Sequence, residues 1–408
     1  MSNKKVKKIL IFSLAYYPSF VGGAEVAIKE ITDRLSPEEF EFHLITLRFN
    51  SRLSKTEKMG NVVIHRIGFS RQSPTISDLK KFPLLLNKYW FQFATAFIAS
   101  GLHRRHQFDG VWAMMAHSCG IPAGIFKTLH PRVKYLLVLQ EGDPLDYIER
   151  LARPVWPLFK RGFTKADGVV AESTFLGRWA RRMGFTGPLE VIPNGMDAER
   201  FARTPHDGEL EAIREKIGKK EGETWLIHTG RLVHKNALDM VIRALPSLPE
   251  SVHFFMLGEG TDKHALVKLT GELGVSARVH FHPYVPLTEI PNYLKACDIF
   301  IRPSRSEGMG NSFIEAMAAG LPVIATHEGG IPDFLFDKER NPDKLTTGWA
   351  VDKDSPEQIA EAVKDVLAHP EHAMQIRTAA KKLVFEKYNW DLIAGKMRVL
   401  FRELLARE

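Results

Sequence analysis

Short apolar runs alternate with stretches of helical periodicity almost throughout this chain, and that alternation restricts its fold more than any other feature. In the first half the runs are KILIFSL (8–14), FHLITL (42–47), VVIHRI (62–67), GVWAMM (110–115), YLLVLQ (135–140) and GVVAE (168–172). In the second half they are TWLIHTG (224–230), VHFFMLG (252–258), RVHFH (278–282), DIFIRPS (298–304) and PVIAT (322–326). Strands spaced by helices build parallel sheets covered on both faces, so the expectation is an α/β chain with two doubly wound units in succession. A length of 408 residues also exceeds what one hydrophobic core usually serves.

The boundary between the units is expected at VIPNGMDAERF (191–201), where a strand ends in a Pro-Asn-Gly turn before a polar stretch. This gives a domain over 1–195, a second over 196–385 and a terminal helix over 386–408. Leu392, Ile393, Met397, Leu400 and Leu404 form the stripe by which that helix should dock.

Charge is divided unevenly: residues 1–195 hold 28 basic and 16 acidic side chains, residues 196–408 hold 28 and 32. A basic first half suits an anionic surface or a phosphorylated acceptor, or serves solubility alone. Nucleic acid is disfavoured because no recognition module accompanies the charge. Cys119 and Cys297 lie in no CxxC or Cys/His spacing and read as buried free thiols of a reducing compartment. The start MSNKKVKKILIFSLAYYP reads as a first strand rather than a secretion signal. The segment LLLNKYWFQFATAFIASGL (84–102) is interrupted by Asn87, Lys88 and Gln92, and reads as a mostly buried helix rather than a membrane span. A lipid-facing helix is its alternative.

Ligands of open α/β sheets bind beyond the carboxyl ends of the strands, so the loops there are where chemistry is expected. Gly22 and Gly23 precede a helix and would let a phosphate or sugar approach its amides; Glu25 could simply complement the helix dipole. Arg231 and Lys235 follow the strand TWLIHT, where cations oppose the dipole of the next helix and therefore suggest a bound anion. Glu307, Gly308 and Gly310 precede a helix starting near Ser312, and Ser312 with Glu315 has the spacing of a capping box. Glycines also punctuate THEGGIPDFL (326–335) and LGEGTDKHAL (257–266), but no GxGxxG or GxxxxGK[ST] is complete. DKD (352–354) reads as a helix cap at Asp354 or Ser355, and His103 with His106 as a basic helix end, so no metal is assigned.

GGAE after the first strand, PNGMD at the junction, GRLVHKN after the strand TWLIHT and SEGMGNSFIEAMAAGLPVIAT together resemble the retaining glycosyltransferases of family 4. The resemblance covers nearly the whole chain and implies the GT-B fold, two Rossmann-like domains facing a cleft with the terminal helix crossing back to the first. It implies a first domain that takes the acceptor and a second that takes a nucleotide-diphosphate sugar. Glu315 would hold the ribose, while Glu307 and the amides of Met309, Gly310 and Asn311 would meet the donor sugar. Arg231 and Lys235 would stabilise the leaving diphosphate, with Gly22 and Gly23 near the phosphates. Relatives place that lysine directly before a glycine, whereas Asn236 and Ala237 follow Lys235 here. Relatives also have a histidine after the middle strand of the first domain, for which His117, Gln140, Glu141 and Asp143 are the substitutes on offer; with Glu25 these are the expected acceptor or sugar-facing residues.

The implied activity is retaining, metal-independent transfer of a sugar to an acceptor hydroxyl in surface polysaccharide, glycolipid or glycoprotein synthesis, without a cofactor. The departing diphosphate would take the proton of the incoming hydroxyl. The expected partners are a nucleotide sugar and a glycan or lipid-linked acceptor, in the cytoplasm and in peripheral contact with an anionic membrane. An epimerase or phosphorylase on the same fold, and a non-catalytic nucleotide-sugar binder, are the alternatives.

Overall fold

The computed structural model describes residues 5–18, 21–75 and 77–406. It divides into one unit made of the residues up to Asn194 and those from Trp390 onward, and a second running from Gly195 to Asn389.

The first unit is built on strands β1 (Lys7–Phe12), β2 (Phe40–Leu47), β3 (Thr56–Met59), β4 (Val62–Ile67), β5 (Gly110–Met114), β6 (Lys134–Leu139), β7 (Gly168–Ala171) and β8 (Leu189–Val191). They lie in the order β3-β4-β2-β1-β5-β6-β7-β8, and only β3 with β4 is antiparallel. The central strands are apolar along nearly every residue because helices cover both of their faces. Strand β3, the polar sequence TEKM at the sheet edge, has no such signature and was not expected from the sequence.

The second unit contains β9 (Thr224–Thr229), β10 (Val252–Leu257), β11 (Val279–His282), β12 (Ile299–Arg302), β13 (Val323–Thr326) and β14 (Trp349–Val351). This sheet is parallel throughout, in the order β11-β10-β9-β12-β13-β14. The three-residue edge strand β14 is the other one that sequence reading passed over. In each unit one strand lies where the order reverses: β1 between β2 and β5, β9 between β10 and β12. Successive crossovers leave such a strand in opposite directions, which opens a crevice at its carboxyl end.

The terminal helix Trp390–Ala406 packs within the first unit, against the helix Gly23–Arg34. Its buried face is Trp390, Ile393, Met397, Leu400, Phe401 and Leu404; Leu392, expected in that stripe, is exposed. Phe401 carries the contact, its ring 5.6 to 6.2 Å from those of Trp112, Phe40 and Phe42.

The helix Asn87–His106 corrects a second expectation. Phe91, Thr95, Ala96 and Ala99 are buried, but Tyr89, Phe93 and Phe97 face outward, so it is not the mostly buried helix its composition suggests. No helix among the described residues is long and apolar enough to cross a membrane. Cys119 and Cys297 are both buried, and burial pushes their thiols upward.

Candidate functional site

In the second unit the loops after β9 and β12 meet at the reversal of strand order. Arg302 ends β12 with a buried guanidinium whose Nη2 donates to Glu307 Oε2 at 2.7 Å. The same guanidinium lies 4.2 Å over the Phe313 ring, and its Nε has no partner. Glu307 is buried beside it, its second oxygen 3.3 Å from the Gly308 amide. The helix Asn311–Ala319 then starts from Gly310, which has φ +90° and no side chain to cap the exposed amides. A Cβ at Gly310 would sit 2.6 Å from Arg302 Nη2, so both the backbone angle and the guanidinium require glycine.

This start displaces the expected capping box. Ser312 is the second residue inside the helix, its buried hydroxyl is unpartnered, and Glu315 lies beyond capping reach of the first turn. Burial pushes the Glu315 carboxyl up to about 7, against the pull of Arg200 and then Arg302.

On the other side of the crevice Arg231 is exposed and Lys235 partly so. The turn between them is held by Asn236, whose Nδ2 donates to the Arg231 carbonyl at 2.6 Å. Ala237 follows with φ +52°. Asn236, turned inward, is therefore the residue that directly precedes the left-handed position, and Lys235 stands one place earlier. Arg305 fixes this arrangement: its backbone amide donates to the Lys235 carbonyl at 2.7 Å and its guanidinium holds Asp239 through two bonds of 2.9 and 2.8 Å. Its Nε donates to Asp354 at 2.6 Å, while Asp352 accepts from Arg340 at 2.8 Å, so both carboxylates of DKD serve guanidinium groups. Ser355 caps the next helix by accepting from the Gln358 amide.

Below the crevice His228 is fully buried in β9, and burial together with the Arg302 charge pushes its imidazole down to about 3. Backbone groups of Arg231 and Gly230 offset that shift only in part, and neither ring nitrogen has a hydrogen-bond partner. The other glycine loops support these two. A Cβ on Gly258 would stand 2.0 Å from the Gly230 carbonyl oxygen, and one on Gly260 2.0 Å from that of Leu232. At Gly329, with φ +63°, a Cβ would stand 1.7 Å from the Glu307 carbonyl oxygen. We expect Gly329→Ala to cost about 2–3 kcal/mol in chemical denaturation and to displace Glu307.

The predicted second-unit residues thus converge: Arg231, Lys235, Glu307, Gly310, Asn311 and Glu315 surround one crevice, with the Met309 side chain buried behind it. Sequence reading missed Arg302, Arg305, Asn236 and His228. A charged or imidazole side chain ending an otherwise apolar strand, as in DIFIR and WLIHT, was the available signal.

In the first unit Gly22 and Gly23 open the helix Gly23–Arg34, and the Gly22 amide donates to Glu25 Oε2 at 2.7 Å. Glu25 is buried in that capping role. His117 and Glu141 come together after β5 and β6: the His117 amide donates to Glu141 Oε1 at 3.3 Å and Nδ1 lies 3.6 Å from the same oxygen. Glu141 Oε2 is buried without a partner, and Ser118 Oγ lies 2.9 Å from His117 Nε2. Met115, two residues before His117, has φ +65°, an uncommon conformation for a side chain of its size. Gln140 turns away to donate to Asn194 at 2.8 Å, and Asp143 is exposed beyond the pair.

One other group among the described residues offers three metal-ligand atoms: Glu41, His43 and His106. It lies towards the amino-terminal edge of the first sheet, away from the strand ends that carry the loops above. His106 is therefore more than the basic helix end expected from the sequence. The group has an internal explanation, since His43 Nε2 lies 2.8 Å from Glu41 and Nδ1 3.0 Å from His65.

Family comparisons match both halves of this frame. Residues 21–200 match the model described as Glycosyltransferase Family 4, and residues 209–383 that of Glycosyl transferases group 1. The chain belongs to the family 4, group 1 glycosyltransferases. Over 246 residues, 58% of its length, this family 4 chain is 31% identical to a GDP-mannose-dependent alpha-(1-6)-phosphatidylinositol monomannoside mannosyltransferase of Mycolicibacterium smegmatis. It spans only 62% of that relative and 58% of its two Mycobacterium tuberculosis counterparts. It is 25% identical to an uncharacterised glycosyltransferase of Methanocaldococcus jannaschii, across 95% of this chain and 96% of that one. The solved sucrose-phosphate synthase of Thermosynechococcus elongatus superposes with a TM-score of 0.80 at 18% identity, covering 98% of this chain and 99% of the other. At that identity the likeness speaks to fold alone, and the fold is GT-B.

Proposed function

We propose that the chain transfers a sugar from a nucleotide-diphosphate sugar to an acceptor hydroxyl, with retention at the anomeric carbon and without a metal. The observation that carries this reading is the uncapped start of the helix Asn311–Ala319, set among Arg302, Arg231 and Lys235 with buried polar atoms left unpartnered. Exposed amides and several cations in one crevice suit a diphosphate, and the orphaned groups suit its oxygens. Arg231 and Lys235 neutralise the charge that develops on the leaving diphosphate, which takes the acceptor proton as the bond from the anomeric carbon to the phosphate oxygen breaks and the glycosidic bond to the acceptor oxygen forms. Arg302 holds the Glu307 carboxylate rigid for a sugar hydroxyl, and Glu315 takes the ribose hydroxyls.

Two carboxyl groups acting as nucleophile and acid/base across one bond, as in a retaining glycosidase, would leave these cations without a task. The phosphatidylinositol-mannoside acceptor in the name of the mycobacterial relative favours a lipid-linked or surface glycan here. Product analysis by NMR tests the reading: a new glycosidic bond with the donor's anomeric configuration is expected, whereas an inverted product or free sugar alone contradicts it.

Glu315 gives a pH signature. Its folded value near 7 stands above the ordinary 4.5, so between those values the folded protein keeps a proton that the unfolded chain has lost. The carboxyl therefore lowers stability as pH rises through that window, and Glu315→Gln should flatten the decline in melting temperature of the ligand-free protein. Nucleotide affinity should move the other way, rising above pH 7 as the ionised carboxylate accepts the ribose hydroxyls.

A further inference from the structure

We propose that the first unit docks on an anionic membrane surface through the outward face of the helix Asn87–His106. Tyr89, Phe93 and Phe97, each four residues from the next, share that face with exposures of 69, 46 and 64%. Phe82, 80% exposed, extends the apolar surface into the turn ahead of the helix. The opposite face already packs on the unit's own core, so the aromatic stripe is surplus to folding. Single exposed apolar side chains are ordinary, but an aligned run of aromatic rings marks a surface that something covers.

The charges around the stripe choose the occupant. No Asp or Glu occurs between Asp78 and Asp109, while Lys81, Lys88, Arg104 and Arg105 are exposed there. A second copy of this chain would bring two cationic rims together, which is unfavourable. An anionic headgroup layer over acyl chains satisfies the rings and the cations at once.

The docking helix is also tied to the loop carrying His117. Gln92 Nε2 donates to the carbonyls of His117 and Ser118 at 3.2 and 3.1 Å, so docking would set that loop close to the lipid surface. Delivery of a lipid-linked acceptor to that loop rests on the transfer reading; docking itself does not.

Flotation of the full chain with phosphatidylcholine vesicles, with and without phosphatidylglycerol, tests the proposal. Binding to the phosphatidylglycerol vesicles at low salt is expected, and the double variant Phe93→Ser/Phe97→Ser should weaken it on the order of tenfold without changing the thermal melt. Arg104→Glu with Arg105→Glu should weaken binding to the anionic vesicles while leaving residual binding to neutral ones. No flotation at low salt, or flotation indifferent to Phe93 and Phe97, overturns the proposal. A concentration-dependent dimer abolished by the same variants, with no lipid binding, overturns it in favour of self-association. Because flotation requires no turnover, an inactive but floating protein would count against the transfer reading alone.

Discussion

Glu307→Ala should lower the stability of the second unit by about 3 kcal/mol, because it leaves the buried Arg302 guanidinium without its counter-charge. Replacing both members of a buried pair by apolar groups is often tolerated; removing one is not, since the remaining charge keeps its full desolvation cost. A loss of that size corresponds to a fall in melting temperature of roughly 6–12 °C for a unit this large. Glu307→Gln keeps an oxygen for Arg302 Nη2 and should lose less. Differential scanning calorimetry of the three proteins separates the cases, and a Glu307→Ala protein melting with the wild type would show that the pair contributes nothing to the fold. The same pair clamps the carboxylate at 2.7 Å, the preorganisation that the role proposed for Glu307 requires.

Arg231→Ala should leave folding intact and cut kcat by roughly 100- to 1,000-fold, the usual loss when one preorganised group opposite a developing charge is removed. Its side chain is exposed, so truncation opens no cavity and strands no buried partner. Nucleotide-sugar binding should weaken less than turnover, because charge on the diphosphate grows as the bond to the sugar breaks. Arg231→Lys keeps the charge but loses the planar fork and should fall between. Steady-state kinetics with a calorimetric control on folding decides; unchanged kcat in Arg231→Ala removes the leaving-group role.

The sequence revealed these features unequally, for identifiable reasons. Parallel strands buried on both faces announce themselves as unbroken apolar runs, so β1, β5, β6, β9 and β12 were evident, whereas the polar edge hairpin strand β3 and the three-residue β14 carry too little pattern. Apolar content alone cannot say which side of the helix Asn87–His106 faces the core, and so Phe93 and Phe97 read as interior residues. The glycine-bearing loops were legible because the close approaches at Gly258, Gly260, Gly310 and Gly329 need backbone without Cβ. What they could not show was tertiary pairing: Arg302 reaching Glu307, Arg305 joining Lys235, Asp239 and Asp354, and Asn236 turning in on Arg231. The capping box failed because the positive φ at Gly310 starts the helix earlier and leaves Ser312 inside it.

On the proposed reading, the crevice between the loops after β9 and β12 holds a nucleoside diphosphate. Isothermal titration calorimetry with UDP, GDP and ADP on the wild type, Arg231→Ala and Glu315→Ala tests it most directly. At least one of the three nucleotides should bind and both substitutions should weaken it, Glu315→Ala also for the free nucleoside. Absence of binding by all three, or binding that neither substitution alters, would contradict it.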